Sequence, residues 1–227
     1  MNKYDFDKDA DNYNETLRNK LSSFESEDIC FAEDKVIIVR NNIKSNPKKI
    51  LEFGCGTGRN LKYLRMQFPS ATITGCDVSE KSLEVACKEN PDVEFFLLNK
   101  DCVIDKYDLI FIANVLHHVT PLDRIGLLNR ICNMLKDDGR IFVFEHNPYN
   151  PVTLRIVNTC NFDKDAILIK PKEIKKLLKE SNFEIIKTNY ILFFPLFLKR
   201  LKTIEKYLVN IPFGGQYFVK ARKYKCR

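Results

Sequence analysis

The chain reads as an α/β domain built on a mostly parallel sheet, and two observations predict it. Seven apolar runs of 5 to 8 residues, rich in Ile, Val and Phe, punctuate the 227 residues. Between the first five of them lie longer segments whose apolar residues recur at helical spacing. Parallel neighbours cannot be joined by a tight turn, so crossover helices of this kind are what such a sheet requires. A length of 227 residues suits one domain of this class with appendages.

Taken in order, the predicted strands are Lys49 to Phe53, Thr72 to Cys76, Val93 to Leu98, Asp108 to Ala113, Arg140 to Glu145, Phe183 to Tyr190 and Gln216 to Arg222. Helices are expected near Gly58 to Phe68, Glu80 to Glu89 and Pro121 to Leu135, the last stopped by the turn residues Asp137-Asp138-Gly139. Pro171 to Lys179 opens a further helix with proline in its first turn, where the missing N–H costs nothing. Upstream, Val36, Val39 and Ile43 recur at helical spacing, and that helix is expected to end near Asn46-Pro47. Residues 1–46 are therefore an N-terminal helical cap and residues 47–227 the main domain. Two connections, about 147–170 and 191–215, exceed simple turns. Both leave the carboxyl ends of strands, the face on which open α/β sheets bind ligands, so they are expected to form a small lid.

Composition narrows the function. Hydrophobic residues make up 44% and charged residues 30%, with 8 Gly and 9 Pro, which excludes disordered, collagenous and fibrous classes. The longest apolar run, Tyr190 to Leu198, is half of what a bilayer crossing needs and contains Pro195. The first residues, MNKYDFDKDADNYNE, lack the basic start and apolar stretch of a secretory signal, and a cytoplasmic location is expected. The eight cysteines have irregular spacing with no Cys-x-x-Cys pair, so they read as reduced thiols, and no metal site is expected. The net charge of +7 is uneven. Residues 164–227 hold 16 Lys and Arg against 5 Asp and Glu, or +11, a surplus that suits a solvated surface, an anionic membrane or nucleic acid.

The chemistry is written most clearly in KILEFGCGTGRN, residues 49 to 60. An apolar strand runs into Gly54-x-Gly56-x-Gly58 and then a helix, so ligand can lie against the main chain near a helix start. A dinucleotide fingerprint would place its third glycine at position 59, where Arg59 stands, and this disfavours NAD and FAD. Asp77 ends the second strand, 19 residues beyond Gly58, where a carboxylate can accept both ribose hydroxyl protons and repel a 2'-phosphate. Glu52 stands two residues before the first glycine. Two carboxylates and a glycine loop suit a ligand with adenosine, an ammonium and no phosphate.

The ordered motifs ILEFGCGTG, GCDVS, YDLIFIANVLHHV and LKDDGRIFVFEH resemble those of the class I S-adenosylmethionine-dependent methyltransferases over about residues 48 to 146. The resemblance implies a Rossmann-like, seven-stranded sheet with helices on both faces, its last strand inserted antiparallel between the fifth and sixth. It implies that Gly54, Cys55, Gly56, Thr57 and Gly58 hold the methionine portion of S-adenosylmethionine, with Glu52 near its ammonium. Asp77 would bind the ribose and Val78 would lie against the adenine. The acidic partner of the adenine amino group maps to Asp101 or to Asn99, followed by Cys102, where the family's usual Gly-Asp is absent. Asn114 matches the position whose backbone closes over the cofactor beside the methyl group. The wider chain is similar to bacterial small-molecule methyltransferases, and Tyr13 is the aromatic residue that would cover the cofactor. S-adenosylhomocysteine is the implied product.

His117, His118 and His146 follow strands four and five, and an imidazole can take a proton from an acceptor hydroxyl or amine near neutral pH. Tyr149 is a weaker candidate. A structural or cofactor-shell role competes for His117 and His118, and positioning of the acceptor for His146; alignment of nucleophile and methyl can itself supply much of the acceleration. Asn147-Pro148-Tyr149-Asn150 imitates the Asn-Pro-Pro-Tyr motif of nucleic-acid amino methyltransferases, yet it follows the fifth strand where that motif follows the fourth; it reads as a loop turn. Nucleic acid is accordingly not favoured as a partner, and an RNA methyltransferase using the basic tail is an alternative, as is a cofactor-binding regulator without turnover. Residues 191–212 join an apolar run to Lys199, Arg200, Lys202 and Lys206, with Leu198, Leu201, Ile204 and Leu208 on one helical face. This segment suits an apolar lid or a lipid or membrane-surface contact, and either makes it the region that selects a small-molecule acceptor.

Overall fold

The computed structural model describes residues 25–98, 105–159 and 166–224. Its strands form a seven-stranded sheet in which, counted along the chain, the third, second, first, fourth, fifth, seventh and sixth lie side by side, the topology expected from the motifs, with the last strand antiparallel. The chain parts into two compact units at Ile112 and Ala113.

The first unit opens with α1 (Glu25–Asn41), which buries Val36 and Val39 completely. It stops five residues before the expected Asn46-Pro47. The Asn42 amide donates to the carbonyls of Ile38 and Val39, and the Asn42 side chain donates a second bond to Ile38, so the last turn is closed from within. Next come β1 (Lys49–Phe53), α2 (Leu61–Gln67), β2 (Thr72–Asp77), α3 (Glu80–Glu89), β3 (Glu94–Leu97) and β4 (Tyr107–Ala113). β1 pairs in parallel with β2 from Lys49↔Thr72 to Phe53↔Cys76 and with β4 from Ile50↔Leu109 to Phe53↔Ile112. Ile50, Leu51 and the run Leu109 to Ile112 are wholly buried, as central parallel strands covered on both faces demand. The register is fixed at its start by Asp108, whose Oδ2 accepts the amides of Lys48 and Lys49 at 2.9 and 2.8 Å. α3 begins where Ser79 Oγ accepts the Ser82 amide, with Glu80 in the first turn.

The second unit continues through a single 3-10 turn (Leu116–His118), α4 (Arg124–Met134), β5 (Leu135–His146), α5 (Pro151–Thr159), α6 (Pro171–Glu180), β6 (Phe183–Ile191), a 3-10 stretch (Leu196–Ile204), α7 (Glu205–Leu208) and β7 (Gln216–Lys223). β7 runs antiparallel to β5 (Ile141↔Ala221 to His146↔Gln216) and to β6 (Phe183↔Lys223 to Ile191↔Gln216). The rings of Phe142 and Phe144 lie 6.0 and 5.6 Å from that of Phe218, at the centre of this unit's core. α6 turns Ile174, Leu177 and Leu178 inward beside β6.

Three expectations shift. Asp137-Asp138-Gly139 does not separate helix from strand, because extended backbone already begins at Leu135. Leu135 is fully buried and folds over Gly139, where a Cβ would stand 2.7 Å from its Cδ1. The connection from Asn147 contains a helix, α5, which the turn reading of its Asn and Pro residues passes over. Asn150 Oδ1 accepts the amides of Val152 and Thr153 at 2.9 and 3.0 Å, and Pro151 takes the first helical position, an N-terminal signal that was present in the sequence. The segment after Ile191 is not one amphipathic α-helix. It is 3-10 over Leu196–Ile204 with a kink at Leu198, and α-helical only over Glu205–Leu208. Glu205 Oε1 accepts the amides of Phe193 and Phe194 and ties the segment back on itself. Among the described residues, no helix is long and apolar enough to cross a membrane.

Candidate active site

In the first unit the chain leaves β1 through a turn whose first two amides, Gly54 and Cys55, both donate to the Cys76 carbonyl at the end of β2. Gly54, Gly56 and Gly58 take φ of 71°, 52° and 82°, the left-handed region that favours glycine. At Gly58 the demand is double, since a Cβ would also stand 2.7 Å from Asn90 Nδ2 and 3.2 Å from Ala86 Cβ. The glycines are therefore required by backbone shape, and the loop is held from beneath by Asn90, buried and donating to the carbonyls of Gly58 and Ala86.

Asp77 is where the loop and β2 meet. Its Oδ2 accepts the Gly56 amide at 2.8 Å and its Oδ1 accepts the Ser79 amide at 3.0 Å. The carboxylate is thereby oriented by the main chain. Val78 beside it is exposed.

Glu52 is buried on β1. Oε1 accepts a 2.6 Å bond from Asn60 Nδ2, while Oε2 is buried without a hydrogen-bond partner. Burial pushes this carboxyl up to about 8; the Asn60 bond and the charge of Lys35 oppose the rise, and the charge of Asp77 adds to it. An orphaned carboxyl oxygen in a buried position fits a cationic group that would bring its own charge and N–H donors. The Cys55 thiol is also buried, and burial followed by the charges of Glu52 and Asp77 drives its ionisation well above the ordinary thiol range, so it is no nucleophile.

In the second unit Asn114 follows β4 with φ of 57° and donates its amide to the Phe144 carbonyl at 2.9 Å. Its Oδ1 is buried and lacks a hydrogen-bond partner. The 3-10 turn that follows brings the three predicted histidines together. The His118 and His146 rings lie 4.1 and 5.2 Å from the ring of His117. His117 is buried, its Nδ1 2.6 Å from Glu145 Oε2, and Glu145 Oε1 accepts the Leu116 amide at 2.8 Å. Burial alone would raise the Glu145 carboxyl. The His117 charge and hydrogen bond, the His146 charge and the Leu116 amide outweigh it and hold the group below the ordinary carboxylate range. His118 and His146 are half-buried, and His146 Nδ1 lies 3.5 Å from Gln216 Nε2. His117 is thus occupied with Glu145, and the two less buried imidazoles are better placed to meet a small molecule.

Asn147 is committed to structure. Its Nδ2 donates to the carbonyls of Pro212 and Gly214, and its Oδ1 accepts the Tyr149 amide, so the Asn-Pro-Tyr-Asn sequence is a brace between two connections. Tyr13, Asn99, Asp101 and Cys102 lie outside the described residues. Sequence reasoning did not single out Asn60, Ser79, Asn90 or Gln216. A polar residue at the start or end of a helix flanking the glycine loop was the available signal for Asn60, Ser79 and Asn90; Gln216 at the head of a strand offered none.

A glycine loop braced by an acid at the end of β2, on this sheet order, defines the class of fold. Residues 51–141 match the model of the methyltransferase domain. The chain is similar to the demethylmenaquinone methyltransferase of Thermotoga maritima, 30% identical over 148 residues, which is 64% of this chain and 61% of that protein. It is also similar to the ubiquinone biosynthesis O-methyltransferase of Actinobacillus pleuropneumoniae, 32% identical over 107 residues, 42% of this chain and 44% of that one. The matched regions thus span less than two thirds of either relative. Among solved structures, an S-adenosylmethionine-dependent methyltransferase from Clostridium acetobutylicum shares the fold, with a TM-score of 0.68 at 15% identity over 94% of this chain and 99% of that one.

Proposed function

We propose that the chain transfers the methyl group of S-adenosylmethionine to an oxygen, nitrogen or carbon nucleophile on a small-molecule acceptor, releasing S-adenosylhomocysteine. The observation that carries this reading is the Asp77 carboxylate, pinned by the amides of Gly56 and Ser79 at the edge of a left-handed glycine loop. In this reading Asp77 accepts the ribose hydroxyl protons, the loop Gly54, Cys55, Gly56, Thr57 and Gly58 lies along the methionine portion, and Val78 offers its exposed side chain to the adenine. Glu52 receives the ammonium on its unpartnered oxygen. When bound, the cofactor supplies an electrophilic sulfonium methyl. The chain's part is to bind, to align the nucleophile for in-line approach and to keep water out.

Glu145 holds His117 in one orientation, and we assign this pair a positioning role. His146 and His118 are the residues that would take a proton from a hydroxyl or amine acceptor. The names of the two curated relatives support including hydroxylated quinone-type rings in an acceptor panel, alongside amines and sugars.

Substituting Asp77→Ala is expected to weaken S-adenosylmethionine binding by about 1 to 3 kcal/mol, roughly fivefold to 150-fold, through loss of hydrogen bonds to a charged acceptor. Titration calorimetry measures it, with a thermal melt as control because Asp77 also braces Gly56. Unchanged affinity in a folded variant refutes the ribose assignment. Formation of S-adenosylhomocysteine across the acceptor panel tests turnover, and tight binding without product favours the regulator.

A further inference from the structure

We propose that the segment Phe193 to Phe213, with the exposed side of α5, is a docking surface for an anionic lipid bilayer. Isolated apolar side chains on a surface are ordinary, but a cluster of them within one segment marks an interaction site. Here Phe197 is 82% exposed, Tyr207 74% and Phe213 65%, with Leu198, Leu201, Ile204 and Ile211 also exposed between them. On α5, Val152 is 64% exposed. Asn150 Nδ2 donates to the Phe213 carbonyl and Thr153 Oγ1 to that of Gly215, so the start of α5 and the end of the segment lie side by side.

The backbone explains why these side chains stay out. The segment is tied at its base by the Tyr190 amide on the Val209 carbonyl, the Gly215 amide on Leu192, Glu205 on the amides of Phe193 and Phe194, and Asn147 on Pro212 and Gly214. These bonds fix the base of the segment, while Phe197, Tyr207 and Phe213 face solvent and Phe193 and Phe194 are half-buried. A lid packed inward by its own aromatic residues would show the reverse.

Charge selects the occupant. Between residues 192 and 213 the sequence holds Lys199, Arg200, Lys202 and Lys206 against the single acid Glu205, whose carboxylate is turned onto two backbone amides. Arg200 and Lys206 are exposed among the aromatic residues. Exposed aromatic and aliphatic anchors in a segment that also exposes Arg200 and Lys206 match the interface of an anionic bilayer, where rings sit at headgroup depth and long cations reach phosphate. A second copy fits less well, since a symmetric pairing would bring the same surplus of positive charge against itself.

The test is flotation of the full chain with vesicles of phosphatidylcholine alone, or of phosphatidylcholine with one part in four phosphatidylglycerol. It needs neither methyl donor nor acceptor, so its failure is distinct from failure of the methyl-transfer reading. The expected result is flotation with the anionic vesicles, weakened by salt, and little with neutral ones. The double substitutions Phe197→Ser with Phe213→Ser, and Arg200→Glu with Lys206→Glu, should each lower partitioning about tenfold or more. Both should leave the melting temperature and donor affinity unchanged, because the altered side chains are exposed. Absence of flotation with anionic vesicles overturns the proposal, as does flotation that neither double substitution reduces. A concentration-dependent dimer abolished by Phe197→Ser with Phe213→Ser also overturns it, since the surface would then be a self-association face.

Discussion

Replacing Glu52 by Gln should stabilise the cofactor-free chain at alkaline pH while weakening its hold on S-adenosylmethionine. The folded-state carboxyl ionises near 8, whereas its ordinary value is 4.5. A raised acid binds its proton more tightly in the folded state, so the stability it contributes is fully present below 4.5. That contribution declines as pH rises and is gone once pH passes about 8. At about 1.4 kcal/mol per pH unit, the loss accumulated by pH 9 is on the order of 5 kcal/mol. Gln carries no proton to lose and retains an acceptor for Asn60 Nδ2, so its stability should stay level over the same range. Urea denaturation should therefore give nearly equal stabilities for the two proteins near pH 4.5 and a variant more stable by about 3 to 5 kcal/mol at pH 9. Parallel pH profiles would show that Glu52 does not ionise as a buried acid.

The same substitution reads the proposed ligand. An ammonium placed on the free Glu52 oxygen favours the carboxylate, so binding below pH 8 should release a proton from the native chain, and calorimetric heats should change with the buffer's ionisation enthalpy. The Gln variant should bind at least about tenfold more weakly and show no such proton release. An acid kept costly in the empty protein and relieved by ligand is a trade of stability for function of a familiar kind.

Why some of this was legible in the sequence and some was not follows from the range of the forces involved. Gly54, Gly56 and Gly58 are demanded by local backbone geometry, and their spacing after KILEF announces a turn before any tertiary contact is considered. The central strands are wholly buried and read as unbroken apolar runs, so Leu109 to Ile112 needed no context. Asp77 could be placed because the length of one strand–helix–strand unit is nearly constant. Glu145 pairing with His117 spans 28 residues, and only the folded sheet sets that distance. The segment after Ile191 shows the same limit: its periodicity is helical, yet Glu205 reaches back 11 and 12 residues to the amides of Phe194 and Phe193, a contact that the local pattern does not carry. Local pattern reports which face is apolar; it does not report a side chain that competes for the backbone.

The pairing of Glu145 with His117 leads to the other large effect. Glu145→Ala should cost about 3 to 5 kcal/mol of folding stability, because it strips a buried imidazole and the Leu116 amide of their acceptor and leaves a cavity beside them. Glu145→Gln keeps an oxygen for the Leu116 amide and should cost less. The pH dependence has the opposite sign to that of Glu52. The Glu145 carboxyl is held below its ordinary value of 4.5, so its contribution is present above that value and is lost as pH falls through the lower folded-state value. Acid unfolding of the native chain should therefore be steeper than that of Glu145→Ala, and the two curves should converge as the pH drops. A double-mutant cycle with His117→Ala isolates the pair, and a coupling within about 0.5 kcal/mol of zero would show that the two side chains do not act together. Turnover separates positioning from packing. If Glu145 orients His117 for methyl transfer, Glu145→Gln should lower kcat in protein that melts as a single folded population, whereas a purely structural pair would leave kcat unchanged once the folded fraction is counted.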